Sequence, residues 1–400
     1  MKNTSRLFFI ILSLYATYSY AQTSKNIFSE DLRFYKDSLP VKHKNLFAKL
    51  PKSEFNAMIT RLEAHTNGIS TEQFYLEMMK IQAAIGDEHS TIIPPYTTKY
   101  PIKFERFDDG LVVTSTNEAN KKLLLAKVIR IGNKTLSEAE KAVSSVIISG
   151  NIPYFNIAEA SYLASPGLLY ALGLSQHLDD VTLELLSPTG EILTAKLDAI
   201  PKNKQVDMVF APVYGSLLAN THQDNYWYLM EKGNLYFNYN KCGDDPKKPF
   251  NAFNDQLSKE IEKQKPKRII IDLRMNGGGN SAVLEPFIEK IKNSDLNKKG
   301  KIFVLVGRAT FSSAIMNAIK LKKETKAILV GQTTAGTINH YGEVRAFTLP
   351  NTKLQINYST MYWENWKGHD GPLVPEFKIE RNLSDLFKGN DKTLNYVMAN

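Results

Sequence analysis

Apolar residues recur three and four apart from residue 26 to about residue 93. Phe55, Met58, Ile59 and Leu62 share one face, as do Phe74, Leu76, Met79 and Ile81, and this spacing predicts helices. The stretch closes on Gly86-Asp87-Glu88-His89-Ser90-Thr91 before Pro94-Pro95, so a polar hexapeptide is expected at a helix end beside a loop. Between about 100 and 201 the pattern shifts to short apolar runs at 110–113, 126–131 and 181–186, the last preceding the turn Pro188-Thr189-Gly190. With a helical segment over 137–173 between them, they predict a small mixed domain carrying a helical insertion. From about 207 strand and helix alternate: a strand at 235–239, an amphipathic helix at 251–264, then Arg268-Ile269-Ile270-Ile271-Asp272-Leu273, suited to a strand buried on both faces. Strands at 302–306 and 327–330 flank a helix starting near Ser312, and this order predicts an α/β layer with parallel pairing.

Composition adds a boundary at the start. Lys2 and Arg6 precede the apolar run 7–18, and Ser19-Tyr20-Ala21 offers small residues at the positions a signal peptidase reads. Residues 1–21 therefore read as a cleaved secretory signal peptide, and the mature chain is expected to begin at Gln22, in the periplasm or outside the cell. The run is too short to cross a bilayer, no cysteine near the cleavage point offers a lipid anchor, and no later segment is apolar enough to span a membrane. The 400 residues, 43% hydrophobic and 23% charged, suit a globular protein of two or three domains. The single cysteine, Cys242, excludes an intramolecular disulfide and reads as core filler. No metal or cofactor is expected. The net charge of +9 becomes +7 once Lys2 and Arg6 leave, and the lysines are scattered, as in 297–301 and 320–326. That pattern suits a solvated surface rather than nucleic-acid binding.

Three segments carry candidate chemistry. The buried run ends in Asp272-Leu273-Arg274-Met275-Asn276-Gly277-Gly278-Gly279, whose bare backbone can turn N–H groups toward a ligand or simply make a tight turn. Thr310-Phe311-Ser312-Ser313-Ala314 stands between a strand and a helix, where a serine can meet helix N-terminal N–H groups or merely cap the helix. Gly331-Gln332-Thr333-Thr334-Ala335-Gly336 again follows a strand and, taken singly, is a polar loop.

In this order and spacing the three segments resemble the peptidase domain of the tail-specific, C-terminal-processing protease family, whose relatives include the archaeal tricorn core protease and the chlamydial secreted protease. The likeness extends over roughly 26–379. It implies an α/β peptidase domain of ClpP/crotonase-like layering, a nucleophile at Ser312, and an oxyanion hole from the backbone N–H groups of Gly278 and Ser313. Bacterial members use a lysine directly after the glycine matching Gly336, but this chain has Thr337 there, and threonine is no general base at neutral pH. Gly86-Asp87-Glu88-His89-Ser90 resembles the Asp-x-His segment of the tricorn-like and chlamydial branches, which implies His89 as the base. There a downstream carboxylate orients the histidine; Asp370 is the candidate, with Glu364 behind it.

Lys127-Val128-Ile129-Arg130-Ile131-Gly132-Asn133-Lys134 resembles the strand and turn of a PDZ domain, although the glycine-rich carboxylate-binding loop is not recognisable. The expected order is a leader (1–21), an N-terminal helical region (22–97), a PDZ-like domain with its helical insertion (98–204) and a catalytic domain (205–400). The implied activity is hydrolysis of peptide or protein substrates by a serine endopeptidase. A non-catalytic binding protein on the same fold, as the retinoid-binding proteins of the eye resemble it, is the competing expectation. A crotonase-fold protein handling acyl-CoA is a third, disfavoured by export. Oligomeric state is left open.

Overall fold

The computed structural model describes residues 26–211 and 224–400; the expected signal peptide lies outside them. Three helices, Ile27–Lys42, Lys52–Glu63 and Thr71–Ile85, replace the predicted helical stretch. The third starts on the Ser70 side chain, which accepts from Gln73 N–H, and stops at Gly86, whose left-handed φ of +75° ends it. The next residues, Ile92–Ile93, form a strand rather than more helix.

The middle region is a seven-stranded sheet in the order Met208–Phe210, Gly110–Asn117, Lys127–Ile131, Asp180–Leu186, Ile192–Asp198, with Ile102–Phe107 and Lys134–Thr135 attached at its side. The predicted insertion appears as three helices, Leu136–Ser144, Ile152–Tyr162 and Pro166–Ala171. Thr135 and Glu138 form a reciprocal capping box at the start of the first.

The last region is a six-stranded sheet ordered Tyr226–Glu231, Asn234–Tyr239, Ile269–Asp272, Ile302–Val306, Ile328–Gly331, Phe377–Lys378, with every pair parallel except the first. Ile269–Asp272 and Ile302–Val306 are buried throughout, because helices cover both faces. Alternate residues divide between the two layers. Ile269, Ile271, Val304 and Val306 pack with Phe253, Leu257, Phe287 and Ile315 of the helices Phe250–Gln264, Glu285–Lys292 and Ser313–Glu324. Ile270, Phe303 and Leu305 pack with Leu394 and Val397 of the C-terminal helix Lys392–Ala399.

One element was not predicted. His340–Thr348 and Gln355–Trp363 form an antiparallel hairpin, and the second strand pairs with Ile92–Ile93, Ile92 lying opposite Ile356. Leu349, Leu354 and Ile356 are fully buried in the same apolar cluster as Leu32, Phe74 and Leu111 of the N-terminal helices and middle sheet. A segment that lies within 205–400 in sequence is therefore packed into the first core.

Candidate active site

Ser312 stands where the strand Ile302–Val306 hands over to the helix Ser313–Glu324. Its φ of +51° and ψ of −126° lie where side chains other than glycine rarely go, at a cost of roughly 1–3 kcal/mol. The neighbours impose the bend. Phe311 N–H donates to Asn276 O at 3.0 Å, Ala314 N–H to Phe311 O at 3.0 Å and Ile315 N–H to Ser312 O at 2.9 Å. Thr310, fully buried, donates its hydroxyl to Leu273 O at 2.8 Å and accepts from Gly307 N–H at 2.9 Å. Ser312 makes no capping bond with its own side chain, so the helix-cap alternative does not account for it.

The glycine run is pressed against this bend. A Cβ on Gly278, whose φ is +105°, would lie 2.7 Å from Ser312 Cβ, and one on Gly279 would lie 2.0 Å from Cys242 O. Cys242 N–H donates to Gly278 O at 3.1 Å, and Asn280 N–H to Cys242 O at 2.6 Å. Burial pushes the Cys242 thiol up to about 11, so it stays protonated. Of the two expected oxyanion donors, Ser313 is the first residue of its helix, so its N–H has no acceptor within the helix. Gly278 N–H rests on the buried Asn276 Oδ1 at 2.9 Å. The third motif closes the other side: a Cβ on Gly336 would meet Ile315 Cδ1 at 2.6 Å and Phe311 Cδ2 at 2.8 Å.

His89 reaches this place from the N-terminal region. Its ring stacks on Phe311, the residue before Ser312, at a centroid distance of 4.7 Å, and on His340 at 5.1 Å. Both ring nitrogens are buried without a hydrogen-bond partner among the described residues, so the imidazole packs on the residue before the serine and is not bonded to Ser312. Burial above all, then the neighbouring His340, lowers its pKa to about 4 against a smaller opposing pull from Asp87, so the ring is neutral at neutral pH.

The residues before it anchor this segment. Asp87 accepts from Ser90 Oγ at 2.5 Å, Ser359 Oγ at 2.6 Å and its own neighbour His89 N–H at 3.0 Å. Asn45 N–H donates to His43 Nδ1, which leaves the Nε2–H of His43 to donate to Asp87 Oδ2 at 3.0 Å. Burial alone would raise the Asp87 carboxyl, but these bonds outweigh it and hold the group down at about 2. Glu88, also buried, accepts from Asn151 Nδ2 at 2.8 Å and from Thr337 N–H at 3.0 Å. Burial raises its pKa, with the Asn151 and Thr337 bonds opposing. Thr337, where the resemblance would have placed a lysine, is thus covered by a carboxylate from the His89 segment.

Asp370 is not brought to the imidazole. It is exposed, and its carboxylate approaches Asn339 Nδ2 at 3.5 Å; Glu364 is exposed as well. The loop that carries Asp370 is tied instead to Asn339, whose side chain also donates to Trp366 O at 3.0 Å and His369 O at 2.8 Å. His340 escaped the sequence reading as a neighbour of His89, although it lies only three residues beyond Thr337. Among the described residues no group of three or more His, Cys, Asp or Glu side chains could hold a metal ion.

Residues 285–371, which span the serine motif and the glycine-threonine loop, match the model of peptidase family S41. The structure of mature CPAF complexed with lactacystin superposes with a TM-score of 0.65 at 13% identity, covering 94% of this chain and 97% of that one. The photosystem II D1 C-terminal processing protease gives 0.43 at 14% identity over 90% and 94% of the two chains. The tricorn protease gives 0.43 at 14% identity over 93% of this chain and 36% of that one. Among curated proteins none matches the sequence. The S41 match thus lies on the serine-bearing helix and the loop that follows it, and the fold around it is similar to that of CPAF along nearly the whole of both chains.

Proposed function

We propose that this chain is a serine peptidase of the tail-specific S41 type that cleaves peptide or protein substrates outside the cytoplasm by a Ser-His mechanism, with Ser312 as nucleophile and His89 as general base. The observation that carries the reading is the meeting of a strained serine with a neutral, unpartnered imidazole, stacked on the residue before it. As Ser312 Oγ forms its bond to the substrate carbonyl carbon, a free nitrogen of His89 takes the hydroxyl proton. That proton then passes to the leaving amine as the peptide C–N bond breaks, and a water molecule, deprotonated by the same ring, releases the acyl group. Negative charge on the carbonyl oxygen is received by Ser313 N–H and by Gly278 N–H, which exchanges a neutral amide acceptor for a charged one.

Thr337 cannot supply a base, and Glu88 occupies its N–H. Asp370 has no part in this reading, because the resting geometry supports no bond from it to His89. The export half of the proposal rests on the leader-like residues 1–21. Labelling with a fluorophosphonate tests the chemistry: wild type is expected to react at Ser312, and Ser312→Ala and His89→Ala to lose both labelling and peptide cleavage. Full cleavage by His89→Ala would sink the mechanism. N-terminal sequencing of the protein recovered from its native envelope or medium, with a start at Gln22 expected, tests export.

A further inference from the structure

In a Ser-His-carboxylate site the carboxylate bonds one imidazole nitrogen and so fixes the plane of the ring. Here both nitrogens of His89 are buried without partners among the described residues. Its ring instead has two stacked neighbours, Phe311 at 4.7 Å and 29° and His340 at 5.1 Å and 15°. We propose that His340 is a positioning residue for the reaction, stacking on the His89 imidazole together with Phe311 and so doing by ring contact what an orienting carboxylate does by hydrogen bonding. This rests on His89 being the base.

His340 is suited to the task because it is itself fixed. It is buried, and its Nδ1–H donates to Thr337 O at 2.9 Å. Thr337 is in turn held through its N–H by Glu88, the residue next to His89 in the chain. The loop around Thr337 is thus tied at one end to the base segment and at the other to the ring that stacks on the base. The charged or titratable groups facing His340 are His89 at stacking distance and Asp87 more remotely. Stacking leaves the His89 nitrogens free along the ring edge, so both remain open to the serine and the leaving amine, and a second aromatic neighbour helps exclude water from the ring.

The test compares two substitutions that both fill the site and both lose the Thr337 bond. His340→Phe keeps an aromatic face, and His340→Leu does not. The readout is the rate and concentration dependence of Ser312 labelling by a fluorophosphonate, followed from pH 4 to pH 8. His340→Phe is expected to keep the limiting labelling rate within about threefold and to move the acid limb to higher pH, because an imidazole that opposed a charge on His89 is gone. His340→Leu is expected to lower the limiting rate about tenfold with half-saturation unchanged. A limiting rate for the Leu variant equal to or above that of the Phe variant, whether both are fast or both slow, overturns the positioning role. His89→Ala labelled at the wild-type rate overturns instead the assignment of the base.

Discussion

Ser312 pays for its exposure with backbone strain, and that cost can be separated from its chemistry. Both Ser312→Ala and Ser312→Gly are expected to be inactive, but only glycine is at ease at a φ of +51°. Ser312→Gly should therefore unfold in urea with about 1 kcal/mol more stability than Ser312→Ala; equal midpoints would mean that the bend is not strained. His89 stores a second cost. Its folded pKa of about 4 lies below the roughly 6.5 of an unfolded histidine, so between those pH values the unfolded chain takes a proton that the folded one refuses. Stability from this group is complete above pH 6.5 and falls as pH drops toward 4, by about 3 kcal/mol. Asp87 adds a separate loss lower down: its contribution is complete above about pH 4 and disappears as pH falls through about 2. Replacing His89 by phenylalanine should abolish the first loss and leave the second, a contrast that urea titrations at pH 7.5, 5 and 3 would measure. The same depressed pKa predicts that hydrolysis persists in wild type well below pH 6.5.

At the scale of elements, the central device is the pairing of Ile92–Ile93 with the hairpin, reinforced beside it by Ser359. Ser359 is fully buried, donates its hydroxyl to Asp87 at 2.6 Å and its backbone N–H to Ser90 Oγ at 3.3 Å. Ser359→Ala removes one of the bonds holding the Asp87 carboxyl down, and is expected to cost about 1–3 kcal/mol and to raise that carboxyl's pKa. Carboxyl titration followed by NMR would check the direction. Activity should fall although Ser359 never meets substrate, since the anchor of the His89 segment is weakened.

The sequence reading and the structure agree where a pattern is local. Ile269–Asp272 and Ile302–Val306 announce themselves as apolar runs, and the helix Phe250–Gln264 by its spacing. The hairpin does not, because Glu343, Val344, Arg345 and Ala346 are all exposed and leave no alternation to read. Its partner strand, moreover, lies more than 250 residues earlier. Ser312 and His89 were visible through family motifs. The contacts of His340 and Glu88 were not, since a stack of rings and a carboxylate over an amide exist only once distant segments meet.

Across the whole molecule, buried charge joins the outer helix to the active-site strand. Arg274 bonds Asp272 at 2.6 Å and Asp391, which precedes the C-terminal helix, at 2.8 Å, with Tyr236 donating to Asp272 as well. Asp391→Ala leaves the guanidinium short of a counter-charge in a buried site and is expected to cost about 3–5 kcal/mol. Because the site strand ends at Asp272, a fall in the thermal midpoint should accompany a slower Ser312 labelling rate. Elsewhere Arg308 donates to Arg106 O and Arg381 pairs with Glu105 at 2.6 Å, so the middle sheet too is fastened to the catalytic layer.

The hairpin has a consequence for when the molecule can act. On the Ser-His reading, the base is synthesised in the first quarter of the chain, the nucleophile in the last, and the strand that fastens one beside the other after both. A nascent polypeptide that has passed Ser312 but not yet residue 359 holds both reactive groups and no way to join them. On that reading hydrolysis belongs only to molecules synthesised past residue 359, and a cell is spared the activity of its unfinished copies.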